Sequence, residues 1–422
     1  MPHTICEKIL AQKAGLGEVF PGQLVTAKPD MVMSHDNAGL VIRQFRQIGA
    51  KNVFDPSKII IPLDHRVPAE SEQTATAHKS IREFVKEQNI QNFYDVREGI
   101  CHQVMVEKGH VLPGELVLGT DSHTTSYGCV GAISSGIGAT EMAALWATGE
   151  IWLRVPDTLK VVVNGEFPGG VGPKDLILYI IGQVSAKGAD YMAIEYYGPT
   201  IESMSVSGRF TVCNMSMEMG AKFATVPADE KTVKYVSSLA DRPYQPVYAD
   251  NDAVYSRELI VDASKLVPQI AIPHRVDNVV PISEVSGLDI NQVVIGSCTN
   301  GRIDDLEIAA NIMDGKQVSS DIRLLVIPGS RSIYLEAMEL GLLKTFVEAG
   351  ALVLNPGCGP CLGAHQGILA PGERCLATTN RNFKGRMGST SAEVYLSNPK
   401  VAAMVAISGK IPTLDEYNSG LD

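Results

Sequence analysis

Short runs of aliphatic and β-branched residues alternate with longer amphipathic segments along nearly the whole chain. The run at 59–63, Ile-Ile-Ile-Pro-Leu, predicts a buried strand, and the helical spacing of apolar residues at 73–88 predicts a helix. Another helix is predicted to begin near Asp304. Four more aliphatic runs predict strands, at 116–120, 293–296, 324–328 and 351–355. This alternation indicates an α/β fold whose sheets are covered by helices on both faces.

Chemically reactive residues follow three of the predicted strands. Asp64-His65 comes after the first run, Asp121-Ser122-His123 after the second, and Ser297-Cys298 after the third. Open α/β sheets bind their ligands at the carboxyl ends of strands. Residues that only fill a core have no reason to prefer strand ends, so the pattern predicts a functional site there.

The composition excludes several classes of protein. A net charge of −11 argues against nucleic acid as a general partner. The longest apolar stretch, at about 130–149, is interrupted by serine, threonine and glutamate, so we expect no membrane span. The N-terminus lacks the apolar core of a signal peptide, and the eight cysteines have no regular spacing. We therefore expect a cytoplasmic protein whose cysteines serve metal or cluster chemistry.

The length of 422 residues predicts two or three domains. A Pro/Asp segment at 155–157 and a polar, proline-bearing stretch at 268–288 are the candidate linkers. We expect three domains, at 1–155, 156–285 and 286–422. The first would carry the histidine and aspartate motifs, and the last the cysteine and arginine motifs.

Three cysteines lie in two compact motifs. Cys298 is in Gly-Ser-Cys-Thr-Asn-Gly-Arg, and Cys358 and Cys361 are in Pro-Gly-Cys-Gly-Pro-Cys-Leu-Gly. Three thiolates can hold a four-iron cluster and leave one iron open to a substrate. The same cysteines with His365 could instead form a structural zinc site, and the spacing alone leaves both possibilities open.

Two further motifs carry chemistry that is ambiguous when each is taken alone. The pairs Asp64-His65 and Asp121 with His123 place a carboxylate beside an imidazole, which fixes the tautomer and raises its basicity. Such pairs are also common in structural hydrogen bonding. The stretch at 379–386 holds two arginines, whose guanidinium groups match carboxylates bidentately, although a solvated basic loop would have the same composition.

Taken together, the motifs resemble the aconitase superfamily over essentially the whole chain. Six motifs occur in the family's order, at 63–65, 99–103, 119–124, 296–302, 358–361 and 380–386. The resemblance implies three α/β/α-layered domains around a cluster site, without the family's C-terminal swivelling domain. It also implies one [4Fe-4S] cluster per subunit, with Cys298, Cys358 and Cys361 as its ligands.

The resemblance further implies the roles of the other motif residues. Asp64 and His65 would protonate the leaving hydroxyl group of a substrate. Two more pairs would support them, His102 with Asp121 and His123 with Glu195. The residues implied to bind the substrate are Ser122, Asn380, Arg381, Arg386 and His35, which stands where aconitases have glutamine.

The chain resembles the large subunit of the family's split hydro-lyases, which dehydrate and rehydrate 2-hydroxy di- or tricarboxylates. We expect 3-isopropylmalate and 2-isopropylmalate as substrates, in leucine biosynthesis, with homoaconitate or 2,3-dimethylmalate chemistry as alternatives. The catalytic serine and the swivelling domain would come from a small subunit of roughly 160–170 residues, an ordinary domain size. Two readings from other classes are an iron-responsive RNA-binding regulator and a zinc protein without catalysis.

Overall fold

The structure, a computed structural model, describes residues 2–420 and contains four β-sheets within them. The strands are β1 Leu24–Ala27, β2 Met31–Met33, β3 Ile59–Pro62, β4 Asn92–Tyr94, β5 Leu116–Gly119, β6 Ile133–Gly136, β7 Ile151–Arg154, β8 Thr158–Asn164, β9 Ala193–Tyr197, β10 Phe223–Thr225, β11 Arg257–Asp262, β12 Gln269–Ala271, β13 Val279–Pro281, β14 Gln292–Gly296, β15 Arg323–Ile327, β16 Leu352–Val353, β17 Arg374–Ala377 and β18 Glu393–Leu396.

Helices flank the sheets. They are α1 Ile5–Ala14, α2 Ala38–Gln47, α3 Glu72–Glu87, α4 Cys101–Glu107, α5 Ala139–Thr148, α6 Pro173–Val184, α7 Pro199–Ser203, α8 Val206–Ser216, α9 Glu230–Ser237, α10 Ser297–Asn300, α11 Ile303–Met313, α12 Arg331–Glu339, α13 Leu342–Glu348, α14 Gly359–Leu362, α15 Pro399–Ser408 and α16 Leu414–Ser419. Short 3-10 helices span Pro56–Lys58, Ser122–Val130, Met217–Met219, Ala263–Lys265 and Ile282–Val285. No helix within residues 2–420 is both long and apolar enough to cross a membrane.

The three larger sheets are mainly parallel. A five-stranded sheet has the order β4-β3-β2-β5-β6, and a four-stranded sheet has the order β10-β9-β8-β11. A seven-stranded sheet has the order β13-β12-β18-β17-β14-β15-β16, in which β12 pairs antiparallel to both of its neighbours. Strands β1 and β7 form a separate antiparallel ribbon. Strands β3, β5 and β14 are buried along their whole length, as parallel strands covered on both faces must be.

The predicted α/β fold is confirmed. The predicted strand at 59–63 corresponds to β3, and the predicted helix at 73–88 corresponds to α3, which begins one residue earlier because the Ser71 hydroxyl accepts a hydrogen bond from Thr74 N. The run at 351–355 forms only the two-residue edge strand β16. Strands β12 and β13 precede residue 285 and pair within the seven-stranded sheet. The division into domains at 155 and 285 stays a prediction.

The loops after the buried strands bring the reactive residues together. Cys101 N at the start of α4 donates to the Asp64 carboxylate at 2.7 Å, and Cys358 N donates to the Asp64 carbonyl at 2.9 Å. Ile100 N also donates to the carbonyl of Gly329, in the loop after β15. The loop after β3 is therefore hydrogen-bonded both to α4 and to the loop that carries the second cysteine motif.

The two tryptophans offer a direct test of the core beside the five-stranded sheet. Trp146 is fully buried and stacks on Phe84 at 5.7 Å between ring centroids, whereas Trp152 is 67% exposed on β7. We expect Trp146→Ala to lower the free energy of unfolding by about 3–5 kcal/mol, because it leaves a cavity among α2, α3 and α5. Trp152→Ala should change it by less than about 0.5 kcal/mol. Urea denaturation followed by circular dichroism measures both, and equal losses would contradict this account of the core.

Candidate active site

His65 lies between two carboxylates in the loop after β3. Its Nδ1 is 2.7 Å from Asp64 Oδ1, and its Nε2 is 3.5 Å from Asp121 Oδ2. Burial disfavours a charged imidazole, but the two carboxylates outweigh that effect and raise the pKa of His65 well above its usual range. The ring therefore holds a proton at neutral pH, which is the state that a general acid needs.

Asp121 joins His65 to the second imidazole. The Nε2–H of His102 on α4 donates to Asp121 Oδ1 at 2.8 Å, and the backbone N of His123 donates to the same oxygen at 2.7 Å. The remaining nitrogen of His102, Nδ1, is 3.2 Å from the Tyr127 hydroxyl and accepts from it. Burial alone would raise the pKa of Asp121, but hydrogen bonds from His102, His123 and His65 hold it well below its usual range.

The predicted pairing of His123 with Glu195 is wrong. His123 Nε2 lies 2.9 Å from Glu218 Oε1, and Glu195 is engaged elsewhere. The Glu195 carboxylate, fully buried on β9, accepts hydrogen bonds from the hydroxyls of Tyr197 and Tyr255 and from the backbone N of Cys6. Glu195 therefore connects β9 to α1 and makes no hydrogen bond to an imidazole among the described residues.

Glu218 reaches the site because of the way α8 ends. Helix α8 packs closely on the 3-10 helix Ser122–Val130, and the turn Met217–Met219 follows it directly. The same oxygen of Glu218 that binds His123 also accepts from Arg381 Nε at 2.8 Å. One sequence signal could have found this residue: Glu218 is a lone carboxylate between two methionines, in an otherwise uncharged stretch.

A strained turn positions Cys298 at the end of β14. Gly296 has φ +130°, and a Cβ at this position would lie 2.0 Å from the Ile327 carbonyl oxygen, so only glycine fits. Ser297 follows with φ +69°. The Cys298 sulfur then accepts hydrogen bonds from two amides, Asn214 Nδ2 and Asn380 Nδ2, each at 3.4 Å.

The second cysteine motif forms the short helix α14. The Cys358 thiol donates to Cys361, which lowers the pKa of Cys361, and Arg386 lowers it further from 3.9 Å. The His365 ring packs over Gly359, where a Cβ would lie 2.1 Å from His365 Nε2. That nitrogen is buried and has no hydrogen-bond partner among the described residues.

The donor set fits an iron–sulfur cluster better than zinc. A single zinc ion with Zn–S bonds of about 2.3 Å would hold all of its ligand atoms within about 4 Å of one another. Within residues 2–420, no three of the ligand atoms from Cys298, Cys358, Cys361 and His365 lie within 4.8 Å of one another. A cluster binds each thiolate through a different iron and accepts this wider spacing. N–H groups directed at sulfur, as at Cys298, are also typical of cluster sites.

The arginine motif follows β17 and lies beside the thiols. Lys174, buried at the start of α6, donates to the carbonyls of Thr378 and Thr379 at 2.7 and 2.5 Å and so fixes the backbone before Asn380. Arg381 is bonded to Glu218 through Nε only, which leaves its terminal nitrogens for another acceptor. Arg386 Nε is buried and has no partner among the described residues.

His35 and Ser122 line two different cavities beside the imidazole network. The His35 ring stacks on His65 with 3.9 Å between centroids, and burial together with the charge of His65 lowers the pKa of His35 to about 4. His35 is therefore neutral. His35 and His65 line a cavity of about 1030 Å³, and Asp121 and Ser122 line another of about 360 Å³.

The structure thus brings the sequence-predicted residues into one site, apart from Glu195. Sequence reasoning missed four residues that hold this site together. Three are Asn214, Glu218 and Lys174, and the fourth is Asp36, whose Oδ2 accepts the backbone N–H groups of Asp64 and His65. Parallel sheets thus deliver thiols, imidazole–carboxylate pairs and arginines from strand ends to neighbouring positions, as α/β proteins do at their ligand sites.

The chain belongs to the aconitase family. The family model described as "Aconitase family (aconitate hydratase)" matches residues 7–409. The chain is 52% identical over 412 residues to the 3-isopropylmalate dehydratase large subunit 1 of Methanopyrus kandleri, covering 97% of this chain and 98% of the relative. It is 49% identical over 386 residues to the probable methanogen homoaconitase large subunit of Methanosarcina mazei, covering 91% and 98%.

A solved structure shares the fold. Aconitase X of Thermococcus kodakaraensis, in its holo-form, aligns with a TM-score of 0.53 and 14% identity over 92% of this chain and 93% of that one. The family resemblance stated from the motifs is confirmed, and proteins of this family carry iron–sulfur clusters. The roles of the individual residues stay predictions.

Removing one thiol tests the cluster site without reference to catalysis. We expect Cys298→Ser to lose the visible absorption and the bound iron of anaerobically reconstituted protein, because an alcohol does not replace a thiolate as an iron ligand. Cys375→Ser is the matched control, since Cys375 is equally buried but lies within β17, outside both cysteine motifs. It should keep full iron content. A stable, full-strength absorption in Cys298→Ser would remove Cys298 from the ligand set.

Proposed function

We propose that this chain is the large subunit of a hydro-lyase that dehydrates and rehydrates a 2-hydroxy di- or tricarboxylate. The observation that carries the proposal is the chain of contacts from Asp64 through His65 and Asp121 to His102, placed beside three buried cysteines. Such a network holds a proton on an imidazole next to a position where a metal centre can bind oxygen. The names of the relatives in Methanopyrus and Methanosarcina support the same reaction class.

Cys298, Cys358 and Cys361 would hold a [4Fe-4S] cluster. When bound, a cluster with three thiolate ligands supplies an iron with an open position, which acts as a Lewis acid toward a substrate hydroxyl and carboxylate. The amides of Asn214 and Asn380 hold the Cys298 sulfur in place, and the Arg386 guanidinium stabilises negative charge on Cys361.

His65 is the proposed acid. Asp64 accepts the Nδ1–H at 2.7 Å, which fixes the ring and leaves the proton on Nε2 to be donated to the departing hydroxyl. Asp121, 3.5 Å from Nε2, stabilises that charged ring until the proton leaves. His102 and His123, both bonded to Asp121, keep the carboxylate anionic throughout.

Substrate carboxylates would bind to the arginine motif. The unpartnered Nε of Arg386 and the terminal nitrogens of Arg381 offer the parallel N–H groups that a carboxylate accepts bidentately. His35 and Ser122 add uncharged hydrogen-bonding groups in the two cavities beside the imidazole network, and Asn380 stands next to Arg381. Neutral donors beside charged arginines orient a substrate without adding further charge.

A small subunit completes the enzyme in this proposal. Both curated relatives above are named large subunits, and the family's serine base is expected on the swivelling domain of a second polypeptide. We place 3-isopropylmalate first among substrates, homoaconitate chemistry second and 2,3-dimethylmalate third. All eight cysteines are free and buried, which suits a reducing cytoplasm.

The experiment is a reconstitution with and without the partner. The chain is loaded with iron and sulfide anaerobically and assayed with 3-isopropylmalate, homocitrate and 2,3-dimethylmalate, first alone and then with the small subunits of the relatives. Alone it should turn over near background, because the loss of a positioned base costs about 10²–10⁴-fold. With a small subunit, 3-isopropylmalate should be the best substrate. Robust turnover by the chain alone, or none with any partner, would overturn the proposal.

Glu218 and Glu195 provide a matched pair of substitutions. Glu218→Gln removes the charge that His123 and Arg381 share, so we expect kcat to fall on the order of 10²-fold, as for other groups that support proton transfer. Glu195→Gln removes the charge of another buried glutamate, whose hydrogen bonds among the described residues come from two tyrosines and from the backbone N–H groups of Ile5 and Cys6. It should leave kcat unchanged. A larger kcat loss in Glu195→Gln than in Glu218→Gln would favour the predicted pairing of His123 with Glu195. Iron content is measured in both variants to show that the site is assembled.

A further inference from the structure

Asp36 organises the loop that carries the proposed acid. It lies in the turn between β2 and α2, and its Oδ2 accepts the backbone N–H groups of Asp64 at 2.7 Å and His65 at 2.8 Å. Its Oδ1 accepts the backbone N–H of Arg66 at 3.2 Å. A single carboxylate thus binds three consecutive amides of the loop after β3.

A side chain from a different helix completes the arrangement. His78, on α3 and 2% exposed, donates from Nε2 to Asp36 Oδ1 at 2.8 Å. Each oxygen of Asp36 therefore accepts two hydrogen bonds, which is its full capacity. Burial opposes the charge, but His78, His35 and His65 hold the pKa of Asp36 far below its usual range.

The arrangement is a hydrogen-bond network and not a cation site. Ligand atoms of His35, Asp36, Asp64 and His65 lie within 4.8 Å of one another, a spacing that could suit a metal ion. Both Asp36 oxygens are nevertheless saturated, and the two Asp64 oxygens accept from His65 Nδ1 and from Cys101 N. A cation would have to displace these donors and would leave buried N–H groups without partners.

We propose that Asp36, held by His78, is a positioning residue that aims the His65 imidazole for proton transfer. This inference rests on the proposed function. Asp36 acts through the backbone of residues 64–66. The same backbone fixes the position of the Asp64 carboxylate relative to the His65 ring. Proton transfer depends steeply on the placement of the donor, so a shift of the loop by about 1 Å costs on the order of 10²-fold in rate.

The first arm of the test is kinetic and uses the chain with its small subunit. Asp36→Asn keeps the size of the side chain but presents an NH₂ group to backbone N–H donors. We expect kcat to fall on the order of 10²-fold, with KM and iron content little changed, because Asp36 bonds to neither an arginine of the substrate motif nor a cysteine side chain. Asp30→Asn is the matched control. Asp30, in the same part of the chain, accepts Leu116 N at 2.8 Å and Lys13 Nζ at 2.9 Å, so it anchors β5 by the same chemistry.

His78 supplies a rescue that separates positioning from general stability. His78→Gln retains an N–H donor for Asp36 and should keep most of the activity, whereas His78→Leu removes the donor and should resemble Asp36→Asn. A wild-type kcat in Asp36→Asn would overturn the proposal. So would an equal kcat loss in Asp30→Asn, or the same kcat in both His78 variants.

A spectroscopic arm does not depend on turnover. In ¹⁵N-histidine-labelled protein, with the His65 signals assigned by His65→Gln, Asp36→Asn should shift the Nδ1 resonance of His65 and Asp30→Asn should leave it in place. An unmoved His65 resonance in Asp36→Asn overturns the positioning role. If the wild-type pair of subunits has no activity on any of the three substrates, the proposed function fails, and this resonance still decides whether Asp36 sets the geometry of His65.

Discussion

The site depends on keeping the Asp121 carboxylate charged in a largely buried position. An isolated carboxylate there would take up a proton, because burial disfavours the anion. Three donors prevent this: the His102 ring, the His123 backbone N–H and the charged His65 ring. The donors come from the loop after β3, from α4 and from the 3-10 helix after β5. Asp121 therefore stays ionised only when these three segments are folded together around it.

On the thiol side of the site, a buried lysine is held by hydrogen-bond acceptors. Lys174 is 1% exposed and bonds only to the backbone carbonyls of Thr378 and Thr379. Burial lowers the pKa of Lys174 to about 7, while Asp305, Cys361 and Cys298 favour its charged form. The hydrogen bonds of Lys174 fix the strand end that presents Asn380.

Local sequence predicted the parts of this site that are encoded locally. Strand ends at Asp64, Asp121 and Cys298 follow from short aliphatic runs, and the Gly296 turn follows from a motif in which only glycine fits. Glu218 and Asp36 are different, because each acts on a residue brought near by tertiary packing, 95 and 28 positions away for His123 and Asp64. Neither lies in a motif with its partner. The error at Glu195 has the same origin: a buried glutamate on a strand shows that a partner exists but not which face of the sheet supplies it.

Glu218 joins the arginine motif to the imidazole network. Its Oε1 accepts from Arg381 Nε at 2.8 Å and from His123 Nε2 at 2.9 Å, and His123 in turn donates to Asp121, which faces His65. A carboxylate bound at Arg381 would compete with Glu218 for the guanidinium charge and leave more negative charge on the imidazole side. Arg381, Glu218, His123 and Asp121 therefore form one chain of contacts that ends at His65.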